Sequence, residues 1–320
     1  MDGSPDPPRP TYIDPSLARG LVRHEARQLR EAHEQIRHIP DELYRGIVDR
    51  FKGRRRLSAS NLKLLAGEID RKASSALSSI CSSMTQRTPS RFRPGSVRYD
   101  IVHYVVGAVE QPAVAGRTPM DRIMRLCVFA ARLDQREGAM SFRELPLCFW
   151  EHAARRYLVR GGGEHDAAVR SIARRLATTY ILPALAVRAT GGQANGSPLA
   201  IPFAGGLLLG RFQAEPKIDN SGGHVTFNKY CMRNHTVFYP TPTNFVVRTY
   251  VNPKLLRPEQ HEIVREMEAW LTAHQAEAEA AVMQYHRLED NDQGEFLDSA
   301  SWARLQADFQ ALWTRLSAQL

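Results

Sequence analysis

Trp150-Glu151-His152-Ala153-Ala154-Arg155-Arg156 is the segment best equipped for chemistry. On a helix His152 and Arg156 stand four residues apart and share a face, with Arg160 one turn further on. A neutral imidazole among cations accepts a proton readily, and the guanidinium groups can hold a phosphate. Further along, His224-Val225-Thr226-Phe227-Asn228-Lys229-Tyr230 and Phe245-Val246-Val247-Arg248-Thr249-Tyr250-Val251 alternate polar and apolar residues as half-buried strands do. Period two puts Arg248 and Tyr250 on the face opposite Phe245 and Val247, beside His224 and His235. One histidine as general base on a 2′-hydroxyl, another as acid and Arg248 on the phosphate would make a metal-free ribonuclease. Two loops add cations that can contact nucleic-acid backbone: Arg54-Arg55-Arg56, and Arg91-Phe92-Arg93, whose aromatic can stack on a base. Arg155, Arg160 and Lys229 extend that set.

Several chemistries have no footing. No phosphate loop of the G-x-x-x-x-G-K-[ST] type, no dinucleotide G-x-G-x-x-G, no H-E-x-x-H and no G-x-S-x-G elbow occurs. Cys81, Cys127, Cys148 and Cys231 form no C-x-x-C pair, and the histidines complete no zinc-finger spacing. No metal or cofactor is expected, and the cysteines read as buried, reduced thiols, three of them in apolar helical context.

Charge is unevenly placed. The chain of 320 residues has net charge +9, but residues 257–320 carry 5 Arg, no Lys and 12 acids, or −7. The preceding 256 residues therefore carry +16. Such a body attracts polyanions, so RNA or DNA is the expected partner, and the acidic C-terminal helices are expected to screen that surface or dock a protein. No apolar run is long enough to span a bilayer, and the N-terminus lacks a basic flank before an apolar stretch; a cytoplasmic location without membrane contact is expected.

The elements that must position these residues read as follows. Residues 1–13 are Pro/Asp-rich and expected to be disordered. Helices are expected over 15–39, over a short stretch from 41 to 51, and from an N-cap at Ser58. After the Pro/Gly/Arg-rich loop 88–96, further helices are expected over 97–109 and 119–133. Ser141 and Glu144 form a capping box opening a helix toward Arg160, which Gly161-Gly162-Gly163 ends. One more helix runs from His165 to about Leu185. Strands then follow at 206–212, 224–230, 235–239 and 245–251, closed by acidic helices over 257–286 and 302–316, with a turn at 291–294. The fold class is α+β: a helical N-terminal half (14–135), then helices packed on a 3–4-stranded antiparallel meander (140–256), then C-terminal acidic helices (257–320).

His152-Ala153-x-x-Arg156 on a helix, a second helix, and antiparallel strands ending in Val247-Arg248-Thr249-Tyr250 resemble the BrnT-type toxins and, more loosely, the barnase/RelE-like small ribonucleases. The resemblance spans about 110 residues. It implies helices on a four-stranded sheet and metal-independent cleavage of RNA by His152, Arg156, His224, His235, Arg248 and Tyr250, in a toxin or effector. The alternative is a non-enzymatic nucleic-acid-binding or interaction protein.

Overall fold

The computed structural model describes residues 13–36, 49–50, 56–77, 79–87, 96–109, 122–161, 167–213, 221–228, 232–238, 244–285 and 300–317. The expected disorder at 1–13, the short helix at 41–51, the loop at 88–96, the triple glycine and the turn at 291–294 fall wholly or largely outside that set.

Helix α1 (Pro15–Ile36) buries Ala18, Val22, Ala26 and Leu29, one stripe at helical spacing. Helix α2 (Ala59–Ala76) starts where Ser58 accepts a hydrogen bond from the Asn61 amide at 3.2 Å. It buries Leu62, Leu65, Ile69 and Ala73.

Next comes the main departure from expectation. Of the helices expected over 97–109 and 119–133, residues 98–109 and 123–133 are strands, and 119–121 lie outside the described residues. They fall in a meander of four strands, β1 (Cys81–Arg87), β2 (Arg98–Val109), β3 (Ile123–Asp134) and β4 (Glu137–Trp150), each antiparallel to the next. The reason is burial on both faces. Tyr99, Ile101 and Val105 pack toward α2, while Val102, Tyr104 and Val106 pack toward the other helices. A strand sandwiched this way is apolar at nearly every position and loses its alternation, so periodicity cannot separate it from a buried helix. Cys127 and Cys148 accordingly lie on β3 and β4. The Ser141–Glu144 pair is mid-strand and caps nothing; the helix begins only at Glu151. Pro146 sits within the irregular β3–β4 pairing that separates Cys127↔Glu144 from Arg125↔Cys148, where its missing N–H costs no ladder bond.

Three helices follow: α3 (Glu151–Gly161), α4 (Ala168–Thr178) and α5 (Ile181–Ala189), with Pro183 in the first turn of α5, where no intrahelical N–H is needed. Strands β5 (Pro198–Phe203) and β6 (Gly206–Gln213) form a hairpin turning at Ala204 and Gly205, both at positive φ. The hairpin β7 (Ser221–Asn228)/β8 (Met232–Phe238) and then β9 (Asn244–Val251) complete the sheet.

Among the described residues the expected three or four strands are instead nine, seven in the order β1-β2-β3-β4-β9-β6-β5 with β7 and β8 off that path. The β7–β8 hairpin adds to the Glu137–Phe142 half of β4, while β9 runs parallel to its Leu147–Phe149 half. The sheet is therefore mixed and forks at β4. It joins the expected 14–135 and 140–256 units through the β3–β4 pairing, so the first half is not a helical domain.

The larger core lies between one face of the sheet and α1, α3, α4, α5 and the C-terminal helices α6 (Pro258–Ala273), α7 (Gln275–Tyr285) and α8 (Ala300–Ser317). The single helix expected over 257–286 is broken at His274. The smaller core lies between the opposite face and α2. No described helix is long and apolar enough to cross a membrane.

Candidate nucleic-acid interface

Helix α3 buries Ala153, Ala154, Tyr157 and Leu158 against the sheet. On a 3.6-residue period this places His152, Arg156 and Arg160 on the outer flank. The Arg156 Nε donates to the His152 Nε2 at 3.0 Å, so that ring nitrogen carries no proton. Burial, and then the neighbouring Arg160, push the Arg156 guanidinium below its ordinary value. Arg160 is exposed, and its carbonyl accepts from Asn252 Nδ2.

Tyr250 is on the other side of the helix. It is fully buried, edge-on to Tyr157 at 5.4 Å, and burial pushes its hydroxyl up to about 12. Arg248 and Tyr250 do not share a face as alternation required. The β6–β9 register jumps from Leu209↔Thr249 to Gly210↔Val247, so Arg248 is the extra residue of a bulge, exposed, and Tyr250 joins the buried side of Val247. At Gly210 a Cβ would come within 2.5 Å of the Phe245 ring, so only glycine admits that ring beside the bulge.

His224 and His235 stand opposite each other on β7 and β8, and His224 opposite Ser141. Ser141 lies nine residues from Trp150, about 30 Å along β4 at roughly 3.3 Å per residue, so the two histidines are remote from the start of α3. The structure therefore does not gather His152, Arg156, His224, His235, Arg248 and Tyr250 into one hydrogen-bonded shell, the arrangement that acid–base cleavage requires.

Of the expected cationic residues, Arg56 donates from Nε to Gln135 Oε1 at 2.7 Å, tying it to the β3–β4 turn. Arg54, Arg55, Arg91, Arg93 and Lys229 lie outside the described residues. Arg155 lies 3.9 Å from Glu151 Oε1 and faces α1.

Here the structure adds what the sequence reading left out. Arg19, Arg23, Arg27 and Arg30 of α1 are all exposed and fall within an ~80° stripe of the helix, on the flank nearest α3. Neither Arg19 nor Arg27 makes an ion pair among the described residues. One carboxylate beside this stripe, that of Glu151, is withdrawn into the interior. Glu151 is buried; its carboxylate lies 3.4 Å from Arg23 Nε and accepts from the Arg122 amide. Glu25 is buried too, and accepts from the Val169 and Arg170 amides at 2.9 Å each. It thus caps α4, whose N-cap residue Ala167 has no side chain for the task. The result is a row of guanidinium groups spaced about 6 Å per four residues along α1, with the exposed Glu31 four residues beyond Arg27.

No family model, curated protein or solved structure matches the chain.

A second constellation was absent from the sequence reading. His103 of β2 is fully buried under α2, with Nε2 3.1 Å from Asp70 Oδ1 and Nδ1 3.2 Å from Ser79 Oγ. Ser79 Oγ also donates to the Cys81 carbonyl at 2.9 Å. The Asp70 contact is too bent for a full hydrogen bond, so it is mainly electrostatic. Burial pushes the imidazole below the ordinary value of 6.5, and Asp70 only partly opposes this. Ser, His and Asp in contact suggest nucleophilic catalysis, but the imidazole is sealed beside Phe129 and the smaller core. The trio fastens α2 to the sheet. The signal available in sequence was a lone histidine in an apolar run, which gives no partner.

Proposed function

We propose that this protein binds nucleic acid through the arginine stripe of α1 and the adjoining flank of α3. The supporting observation is the exposed stripe of Arg19, Arg23, Arg27 and Arg30, with Glu151, the acid that Arg23 reaches, buried. A helix face with several cations and withdrawn acids attracts phosphate and displaces condensed counterions. Arg155, and on the outer flank Arg156 and Arg160, extend the charge across α3. The acidic helices pack on α5 and the β5–β6 hairpin, leaving a bipolar molecule whose basic side meets the polyanion and whose acidic side is available to a protein.

The test is fluorescence anisotropy of the full chain with a labelled 20-nucleotide RNA and a 20-base-pair DNA, from 50 to 200 mM salt. Binding should weaken steeply with salt. The triple substitution Arg19→Gln, Arg23→Gln, Arg27→Gln should reduce the log–log salt slope by about 2–3 and affinity by roughly 10–100-fold, with unchanged circular dichroism. Absence of binding at 50 mM salt, or a triple variant indistinguishable from the parent, would overturn the reading. The RNA and DNA arms decide which nucleic acid is preferred.

A further inference from the structure

Among the described residues the sheet ends at three strands, and they differ in how they are closed off. β5 carries Pro198 and Pro202, which donate no ladder bond, and it lies against α6. β8 carries Arg233. β1 has none of this protection. Its residues 81–86, Cys-Ser-Ser-Met-Thr-Gln, hold no charge, no proline and no glycine, and its pairing with β2 runs from Cys81↔Tyr104 to Arg87↔Arg98 without a bulge. No described strand pairs with its other side, so every second N–H and C=O of β1 points away from the sheet. The helices stand back from it. α2 packs over β2 and β3, and α1 and α4 pack over β2, which leaves β1 as a ledge. Ser82, Met84 and Gln86 are exposed there, on the face that carries α2. Met84 is 44% exposed and, of the four large apolar residues so exposed among the described ones, is the one in a strand. Its register partner Ile101 is fully buried, so the apolar surface of the smaller core runs out to the edge and stops uncovered at Met84.

We propose that β1 is the dimerisation edge of this protein, pairing antiparallel with β1 of a second copy about a two-fold axis at Met84. The strand reads compatibly against itself in that register. Met84 meets Met84, Ser83 meets Thr85 and Ser82 meets Gln86, an apolar pair flanked by hydrogen-bonding pairs. The one charged residue of the strand, Arg87, falls opposite Cys81 and not opposite its own copy. Antiparallel pairing of an edge with itself is closed, so it ends at two copies and does not grow into a fibre. Left open, a long neutral edge of this kind is a site of aggregation; covered by its own copy, it is not. The axis stands perpendicular to the sheet, so both copies keep α1 on the same side. The two β2 strands that carry α1 are then three strand spacings apart, about 14 Å. Both arginine stripes thereby face one polyanion, a consequence that rests on the proposed function, whereas the dimer itself does not.

The experiment is sedimentation velocity of the full chain, without nucleic acid, over a range of protein concentration. A monomer–dimer equilibrium with a Kd of about 10–100 μM is expected, since one seven-residue strand pair buries less than a standard interface. Met84→Lys sets two like charges against each other at the axis and should weaken the dimer by about 10-fold or more. Its circular dichroism should be unchanged, because position 84 is exposed. Met84→Cys tests the register. Mild oxidation should link two copies through residue 84, where facing Cα atoms lie about 4.5–5.5 Å apart, within reach of a disulfide. Ser82→Cys, which faces Gln86, should give no link through residue 82. The Arg19/Arg23/Arg27 glutamine variant should dimerise as the parent does, so failure of the dimer and failure of nucleic-acid binding are separate results. A chain that stays monomeric well above the expected Kd would overturn the proposal and leave the edge to a strand of another protein. So would a dimer that survives Met84→Lys at parental strength, or one that Met84→Cys fails to link.

Discussion

Helix α1 and the C-terminal helices use the same two residue types in opposite ways. On α1 Glu25 goes inward as a cap for α4, and Glu151 of α3 is buried beside Arg23, while four arginines of α1 stand at the surface. In the C-terminal region the pairing happens at the surface. Arg304 Nη2 reaches Glu277 at 2.9 Å, Arg315 pairs with Glu266, and Arg175 of α4 reaches Glu268 at 2.7 Å. Five arginines against twelve acids leave that region with surplus negative charge even after every arginine is matched. Net charge alone would not separate these cases. What an arginine can offer a partner depends on where the nearest carboxylate has been spent.

The sharpest way to break this contrast is at Glu25. Glu25→Ala strips both acceptors from the Val169 and Arg170 amides at the buried start of α4, and neither Ala167 nor another described side chain replaces them. A loss of about 2–4 kcal/mol is expected in urea unfolding, from two orphaned donors and a lost cap. Glu25→Gln keeps one acceptor and should lose roughly half as much. An unchanged midpoint for Glu25→Ala would mean that the glutamate is not withdrawn for structural use, and the account of the exposed arginines would need another basis.

A second test concerns the face opposite α1, where a titratable group is buried without being spent on charge. Because the folded pKa of His103 lies below 6.5, the unfolded chain takes up its proton first as pH falls. Its contribution to stability is therefore complete above about pH 6.5 and declines as pH drops toward the folded value. Urea midpoints at pH 7.5 and 5 should differ, and His103→Gln should flatten that difference while costing about 1–3 kcal/mol at pH 7.5 through the disturbed Ser79 and Asp70 contacts. An equally steep pH dependence in His103→Gln would remove the imidazole from the account.

Legibility in sequence followed local signal strength. The α1 pattern, the Ser58 cap, the β6 and β9 runs and the final helix were readable, because each has a one-sided apolar period or a cap of its own. The strands β2, β3 and β4 were not, since a sheet covered on both faces by helices hides its period, and β3 (Ile-Met-Arg-Leu-Cys-Val-Phe-Ala-Ala-Arg-Leu-Asp) is rich in good helix formers. The same effect undid the candidate site. Arg248 and Tyr250 were placed by strict alternation, and a single bulge residue put them on opposite sides. His152 and His224 looked close because both were expected in one small unit, whereas β4 is long enough to hold them at opposite ends. The arginine stripe of α1 was visible as spacing, but its meaning depended on Glu151 being buried, which is a tertiary fact.

The smallest effect is expected at the acidic end. Arg315 and Glu266 pair between α8 and α6, but Arg315 is 61% exposed, so solvent and salt screen the interaction. Glu266→Gln should change stability by about 0–1 kcal/mol, less at high salt than at low. On the proposed function it should leave nucleic-acid affinity unchanged, because the proposed phosphate-binding surface lies on α1. If Glu266→Gln instead strengthened RNA binding several-fold at 50 mM salt, the acidic helices would be repelling the polyanion at a distance. The separation between the two regions would then be one of degree, with the C-terminal charge acting as a long-range brake on the α1 arginines, and the effect should vanish above about 150 mM salt, where the screening length falls to roughly 8 Å.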